Sequence, residues 1–254
     1  MGIYIYNREQ IGRIEEACLI AAAVLDEIEN IIDIGTSTSD IDDLANRVIK
    51  NFGGKPAFLG YKGFPASVCT SINEIVVHGI PQKSVKLNEG DIIGVDVGVY
   101  YNGFFGDTAR TFTAGVVNQE AERLVIATRE ALYKGIETCR PGKRVSDISH
   151  AIEQHVIAFG FSPVHEFVGH GIGRGLHEEP SIPNYGPPER GPRLKDGMVF
   201  AIEPMINAGS WDVSVQGDGW TVVTKDGSLS AHFEHTIAII DGSPVILTRG
   251  KTFN

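Results

Sequence analysis

A chain of 254 residues with 42% apolar side chains can bury a sizeable core, as one large domain or two small ones. A formal net charge of -10, from 32 acids against 22 bases, argues against the basic face that nucleic-acid binding needs and suits acids gathered to hold cations. Three cysteines, Cys18, Cys69 and Cys139, form no close pair; this argues against a disulfide framework or a thiolate metal site and points to a reducing cytoplasm.

The opening residues carry acids throughout and no unbroken apolar run, so they do not read as a signal peptide, and no later stretch approaches a membrane span. Gly2 follows the start, but Tyr6 stands where a myristoylation site wants Ser or Thr. Ile11, Ile14, Cys18, Ala21, Leu25, Ile28 and Ile32 alternate steps of three and four, which predicts one face of a long helix. Asn7 with Gln10 resembles a capping box at its start. A second helix is predicted from near Ser39, carrying Ile41, Leu44, Ala45, Val48 and Ile49, and Gly53-Gly54 ends it. Strand signals follow from about 57 to 113. The clearest are Ile92–Tyr100 and Phe104–Thr113, joined by the hairpin signal Asn102-Gly103. Helices are then predicted over about 118–138 and 146–159, with strands to the end.

The second half repeats the first with a constant shift of about 107 residues over about sixty positions. Gly35 meets Gly142, Ser39-Asp40-Ile41 meets Ser146-Asp147-Ile148, Pro56 meets Pro163, and Gly90 meets Gly197. Matches at glycines, prolines and helix starts fix chain direction, so an internal duplication is the expectation. No linker is visible. The expected organisation is one domain over residues 1–254, made of two related α+β halves, about 1–113 and 114–254, around a twofold axis.

The same shift sets Asp96 opposite Glu203, each in a strand rich in Val and Ile. An acid in such a strand is rarely buried unless it is paired or bound to a cation. A salt bridge is the plain alternative for one such acid, and it weakens as the acids multiply. If Asn102 and Gly103 are the two loop residues, Asp107 pairs with Gly98 and lies diagonal to Asp96, roughly 7–8 Å away on the same face. The second half repeats the device with Glu203 and Glu234, joined by a connection longer by roughly twenty residues that carries Trp211 and Trp220. A twofold axis would gather all four acids. Two divalent cations, typically about 3.5–4 Å apart in such sites, would cancel their charge.

The histidines break the symmetry. A glycine-rich segment from Glu166 to His177 offers His170 and His177, and its repeat partner around Gly63 has no histidine. An oxygen-rich set with one imidazole fits Mn, Fe, Co or Zn better than a structural zinc. His78, ahead of a turn at Gly79-Ile80-Pro81, is a third candidate; alone it could as well be structural.

The strings SINEIVVHGIP, GDIIGVDVGVYYNGFFGDTARTF, GHGIGRGLHEEP, FAIEPMI and GWTVVTKDGSLSAHFEHT resemble the methionine aminopeptidase family, of the shorter bacterial type, over nearly the whole chain. The resemblance implies the pseudo-twofold "pita-bread" fold, an α+β architecture with a central antiparallel sheet flanked by two helix pairs. It implies five metal ligands, Asp96, Asp107, His170, Glu203 and Glu234, with Asp107 and Glu234 shared by two ions. It places His78 and His177 beside the substrate, and Tyr61, Phe64, Cys69 and Trp220 around the methionine side chain. It also implies a monovalent cation near Asn73, Ile75 and Ser230. Phe58, Phe64 and Leu176 depart from the commonest pattern and leave the shape of that pocket open.

The implied reaction removes the initiator methionine when the second residue is small. Metal-activated water attacks the first carbonyl, Glu203 moves the proton, and His78 and His177 stabilise the oxyanion. The expected partners are nascent polypeptides beginning with Met, and the ribosome surface, with no membrane and no nucleic-acid specificity; a cytoplasmic monomer is the working expectation. Two rivals share the fold: an X-Pro aminopeptidase, which usually carries a large N-terminal domain, and a non-enzymatic peptide-binding module, which tends to lose the ligands.

Overall fold

The computed structural model describes residues 2–250; Met1 and residues 251–254, the ends of the expected unit, lie outside the described residues. Helix α1 (Arg8–Glu29) starts as the sequence suggests. The Gln10 N–H donates to Asn7 Oδ1 at 2.9 Å, and the Asn7 N–H donates to Gln10 Oε1 at 3.0 Å. The box satisfies two donors that a helix start leaves unpaired. Ile11, Ile14, Cys18, Ala21, Leu25 and Ile28 are buried along one face. Ile32 falls beyond the helix end and packs, half-buried, on the same cluster. Each fully buried Ile or Leu contributes about 1.5–3 kcal/mol, so Leu25→Ala would cost about 2–5 kcal/mol.

Helix α2 (Thr38–Asn51) begins within a residue of the predicted start, capped by Ser37; it ends ahead of Gly53 at φ 77°. Helices α3 (Gln119–Glu137) and α4 (Val145–Ala158) follow the predicted spans within a residue. The Ser37 N–H donates to Asp40 Oδ2 at 3.1 Å, and the Arg144 N–H donates to Asp147 Oδ2 at 2.8 Å. Isolated bridges join Ser37 to Lys86 and Arg144 to Arg193. Both pairs of observations fall on positions matched by the sequence shift.

Between the helix pairs lie β1 (Lys55–Pro56), β2 (Cys69–Ile72), β3 (Ile75–Val77), β4 (Ile92–Tyr101) and β5 (Phe104–Thr113). After α4 come β6 (Ser162–Pro163), β7 (Gly169–Gly171), β8 (Glu178–Ile182), β9 (Val199–Ile202), β10 (Met205–Asn207), β11 (Val213–Val215), β12 (Val222–Thr224), β13 (Ser230–His232), β14 (Glu234–Ile240) and β15 (Ser243–Ile246). The main sheet runs β1-β4-β5-β14-β9-β7-β8, with β2 also on β4 and β15 on β14, and all its pairings are antiparallel. Asn102 and Gly103 both take positive φ, 48° and 87°, and set Tyr101 against Phe104 and Gly98 against Asp107. That is the register the hairpin signal predicts.

Alternation then sorts the β4 side chains. Ile93, Val95, Val97 and Val99 join α1 and α2 in one apolar cluster, and Asp96 points to the opposite face. A second cluster joins α3 and α4 to Phe200, Ile202, Ile237 and Ile239. Both helix pairs therefore cover one side of the curled sheet, and the acids lie on the other. The long connection after β10 is not a loose loop. Its β11/β12 hairpin pairs with β3 and forms a small sheet beside His78.

Candidate metal centre and substrate pocket

Four of the five implied ligands come from strands of the main sheet, and the fifth, Glu203, from just beyond one. Asp96 lies mid-β4, Asp107 lies on β5, Glu234 opens β14 opposite Ala109, and His170 lies mid-β7 opposite Ala201. Glu203 corrects an expectation: it stands one residue past β9 rather than inside a strand, and Pro204 follows it without an N–H to extend the ladder. The Asn184 side-chain amide donates to the Glu203 carbonyl at 3.1 Å and steadies this break.

All five side chains line one cavity of about 160 Å3. Single ligand atoms of Asp107, His170 and Glu234 lie within 4.8 Å of one another. His170 Nε2 is 3.3 Å from Glu203 Oε1. The other ring nitrogen, Nδ1, lies 2.9 Å from the Gly171 carbonyl, which makes Nδ1 the protonated nitrogen and leaves the Nε2 lone pair facing the acids. Burial lowers the His170 pKa to about 4, which keeps the ring neutral. Burial raises Asp96, partly offset by its contact with Asp107. Burial also raises Asp107, Glu203 and Glu234 well above the ordinary carboxylate range, and the neighbouring acids push each further up.

These residues fit divalent metal. Asp96 Oδ1, Asp107 Oδ1 and Glu234 Oε1 are buried and accept no hydrogen bond from the protein. No described salt bridge joins any of the four acids to Lys or Arg. Four acids, Asp107 and Glu234 buried and Asp96 and Glu203 largely so, share only histidines and carry a desolvation and repulsion cost that a cation removes. Hard oxygen donors with one imidazole suit a first-row divalent ion.

The rest of the cavity wall holds the other candidates. Tyr61, Phe64, Cys69, His78, His177 and Trp220 all line it, as do Phe58 and Lys62. Phe64 and Trp220 meet edge to face with centroids 5.2 Å apart, and Trp220 lies 6.2 Å from His78. The His78 ring also meets Phe167 edge-on at 5.4 Å. His177 stands at the mouth with an edge in solvent, stacked on Tyr61 at 5.3 Å and bonded through Nδ1 to the Tyr61 hydroxyl at 2.9 Å. Its pKa is lowered to about 3 by burial of its inner face and by His170, Lys62 and His78. Leu176 does not line the cavity; it is buried in the cluster that also holds Tyr6, Phe64 and Phe104. Near the implied cation position, the Ser230 N–H donates to the Asn73 carbonyl at 2.8 Å, and Asn73 takes a positive φ of 52°.

One neighbour of the site escaped the sequence reading. His232 Nε2 is buried without a hydrogen-bond partner, 4.0 Å from Glu203 Oε2, and burial lowers its pKa to about 3. Its place two residues before Glu234 was the available signal.

A model of metallopeptidase family M24 matches residues 12–241. The chain belongs to metallopeptidase family M24. As a member of M24 it is a hydrolase that uses divalent metal. The methionine aminopeptidase of Clostridium acetobutylicum is 50% identical over 246 residues, covering 97% of this chain and 98% of that protein. The Escherichia coli methionine aminopeptidase is 46% identical and covers 99% and 96%. The crystal structure of methionine aminopeptidase from Rickettsia prowazekii superposes with a TM-score of 0.96 at 43% identity, covering 98% of this chain and 100% of that one. The prolidase from Pyrococcus furiosus, at 23% identity and a TM-score of 0.79, shares the M24 pita-bread fold, and this chain covers 66% of its length. Among the described residues no helix is long and apolar enough to cross a membrane.

Proposed function

We propose that the chain removes the N-terminal methionine of nascent polypeptides whose second residue is small, by metal-assisted hydrolysis of the first peptide bond. The observation that carries this reading is one cavity holding four acids, a neutral His170 and an adjoining aromatic slot. Asp96, Asp107, His170, Glu203 and Glu234 would hold two divalent ions, Co, Mn, Fe or Zn. Bound there, the ions supply Lewis-acid activation of water and of the scissile carbonyl.

The remaining work belongs to the chain. Glu203 accepts the proton of the attacking water and passes it to the leaving amine. The carboxylate shell receives the free α-amino group and so limits attack to the first bond. With the Tyr61 hydroxyl donating to His177 Nδ1, the proton of this neutral ring would sit on Nε2, free to donate to the developing oxyanion. His78, also kept neutral by burial, donates from the other wall. Tyr61, Phe64, Cys69 and Trp220 form the methionine slot, where a thioether finds ring edges and sulfur. On this reading the chain works as a monomer near the ribosome surface, where its substrates emerge.

The test is release of free Met from Met-Gly-Ser against hydrolysis of Ala-Pro-Ala, with added Mn or Co. Turnover of the first alone is expected. Preference for the second would favour the X-Pro rival, and turnover of neither would favour a binding module.

A further inference from the structure

The segment that carries His170 and His177 has glycine at 169, 171, 173 and 175, and beyond β7 its turn needs side-chain contacts to hold it. The structure assigns that task to Tyr6: we propose that its hydroxyl, acting through Glu178, is a positioning residue that sets His177 for the reaction. The inference rests on the aminopeptidase reading above.

Three contacts make the clamp. The Tyr6 hydroxyl donates to the Glu178 carboxylate, with oxygens at 2.9 and 2.8 Å, and accepts from the Arg174 N–H at 3.0 Å. Glu178 Oε1 also accepts from the Gly175 N–H at 2.7 Å, which closes the turn 175–178 on itself. His177 lies inside that turn, and its other anchor is the Tyr61 hydroxyl. A rotation of the Glu178 carboxylate would therefore release the turn that carries the imidazole.

Tyr6 is itself immobile. It is 5% exposed, its N–H donates to the Gly197 carbonyl at 2.7 Å, and its ring lies edge-on to Phe104 with centroids 6.2 Å apart. The ring also explains Gly173, where a Cβ would lie 2.4 Å from the Tyr6 ring. Burial raises the phenol above its ordinary value, so it stays a donor at any working pH. The N-terminal segment thus straps the histidine-bearing turn against the sheet. A ring without the hydroxyl would keep the packing and lose the clamp, which makes phenylalanine the discriminating substitution.

The experiment compares the metal-loaded wild type with Tyr6→Phe, His177→Ala and the double variant on Met-Gly-Ser, well below the melting temperature. Tyr6→Phe should lower kcat about tenfold, since small misplacements at a site are costly, with KM within about twofold and metal content unchanged. In the His177→Ala background the same change should cost less than about twofold, because the pair acts as one unit. Tyr4→Phe, which keeps the exposed ring stacked on Tyr6, should match wild type. A readout independent of activity is amide exchange: the Arg174 N–H should exchange about tenfold faster in Tyr6→Phe. A kcat within twofold of wild type, an equal loss in both backgrounds, or unchanged Arg174 exchange would each overturn the proposal. A wild type that releases no Met would instead sink the aminopeptidase reading, and the exchange measurement would still decide the clamp.

Discussion

Removing one charge at Asp96 tests the metal assignment at the finest grain. Asp96→Asn keeps the side-chain volume, so it should leave the circular dichroism spectrum unchanged while lowering bound metal and abolishing turnover; full metal content by elemental analysis would contradict it. The histidines should separate. His170→Ala should lose metal, because Nε2 is the nitrogen that faces the acids. His177→Ala should keep metal and lower kcat by about 10²–10³, the usual loss of an oxyanion donor. Equal metal loss in both would mean that the roles are wrongly divided. Asp96 and Asp107 were legible because acids stood out in apolar strands with a readable hairpin register. His232 was not, because its interest depends on Glu203, which reaches it from the break after β9, far away in the chain.

Elements were legible wherever local chemistry decides them. The Asn7 box, the Asn102-Gly103 turn and the period of α1 depend on neighbours in sequence, and they appear within a residue of expectation. The β11/β12 hairpin was read only as a longer connection, since its partner β3 lies far away in the chain. The matched caps carry a pH prediction. Asp40 is held below the ordinary carboxylate range by the Ser37 hydroxyl and backbone N–H. At Asp147 a small burial cost, which raises the carboxyl, is outweighed by the Arg144 and Glu189 N–H groups, and the net shift is downward. Both folded values lie below the unfolded value, so the stability they contribute is present above about pH 4 and lost as pH falls through the folded values. Asp40→Asn combined with Asp147→Asn should flatten the fall in melting temperature between about pH 5 and pH 2; an unchanged acid limb would count against it. Gly106 sets how closely α1 approaches the sheet, because a Cβ there would lie 2.4 Å from the Cys18 backbone nitrogen. Gly106→Ala should cost about 1–3 kcal/mol in urea denaturation, and a neutral result would mean that the helix can shift freely.

At the scale of the whole molecule, the curled sheet brings Asp96 and Asp107 from before α3 together with His170, Glu203 and Glu234 from after α4. Sequence spacing suggested this meeting through the repeat, but the actual wall of the slot needed the structure. Phe58 and Phe64 line it, and Leu176 does not, although all three share one buried cluster. Discrimination by one methylene in such a slot is worth only about 1–3 kcal/mol. Norleucine-Gly peptides should therefore be cleaved, β-branched Val-Gly should be poor, and Met-Gly should far exceed Met-Trp, since the histidine segment crowds the second residue. Equal rates for Met-Gly and Met-Trp would show that the slot is misread. Turnover should depend on two divalent ions held by the four acids and His170. Exhaustive chelation of the wild-type protein, followed by titration with Mn or Co while Met release from Met-Gly-Ser and bound metal are both recorded, measures it directly. The expected result is no turnover in the stripped protein and recovery that saturates as about two ions bind per chain; full turnover in the stripped protein would contradict it.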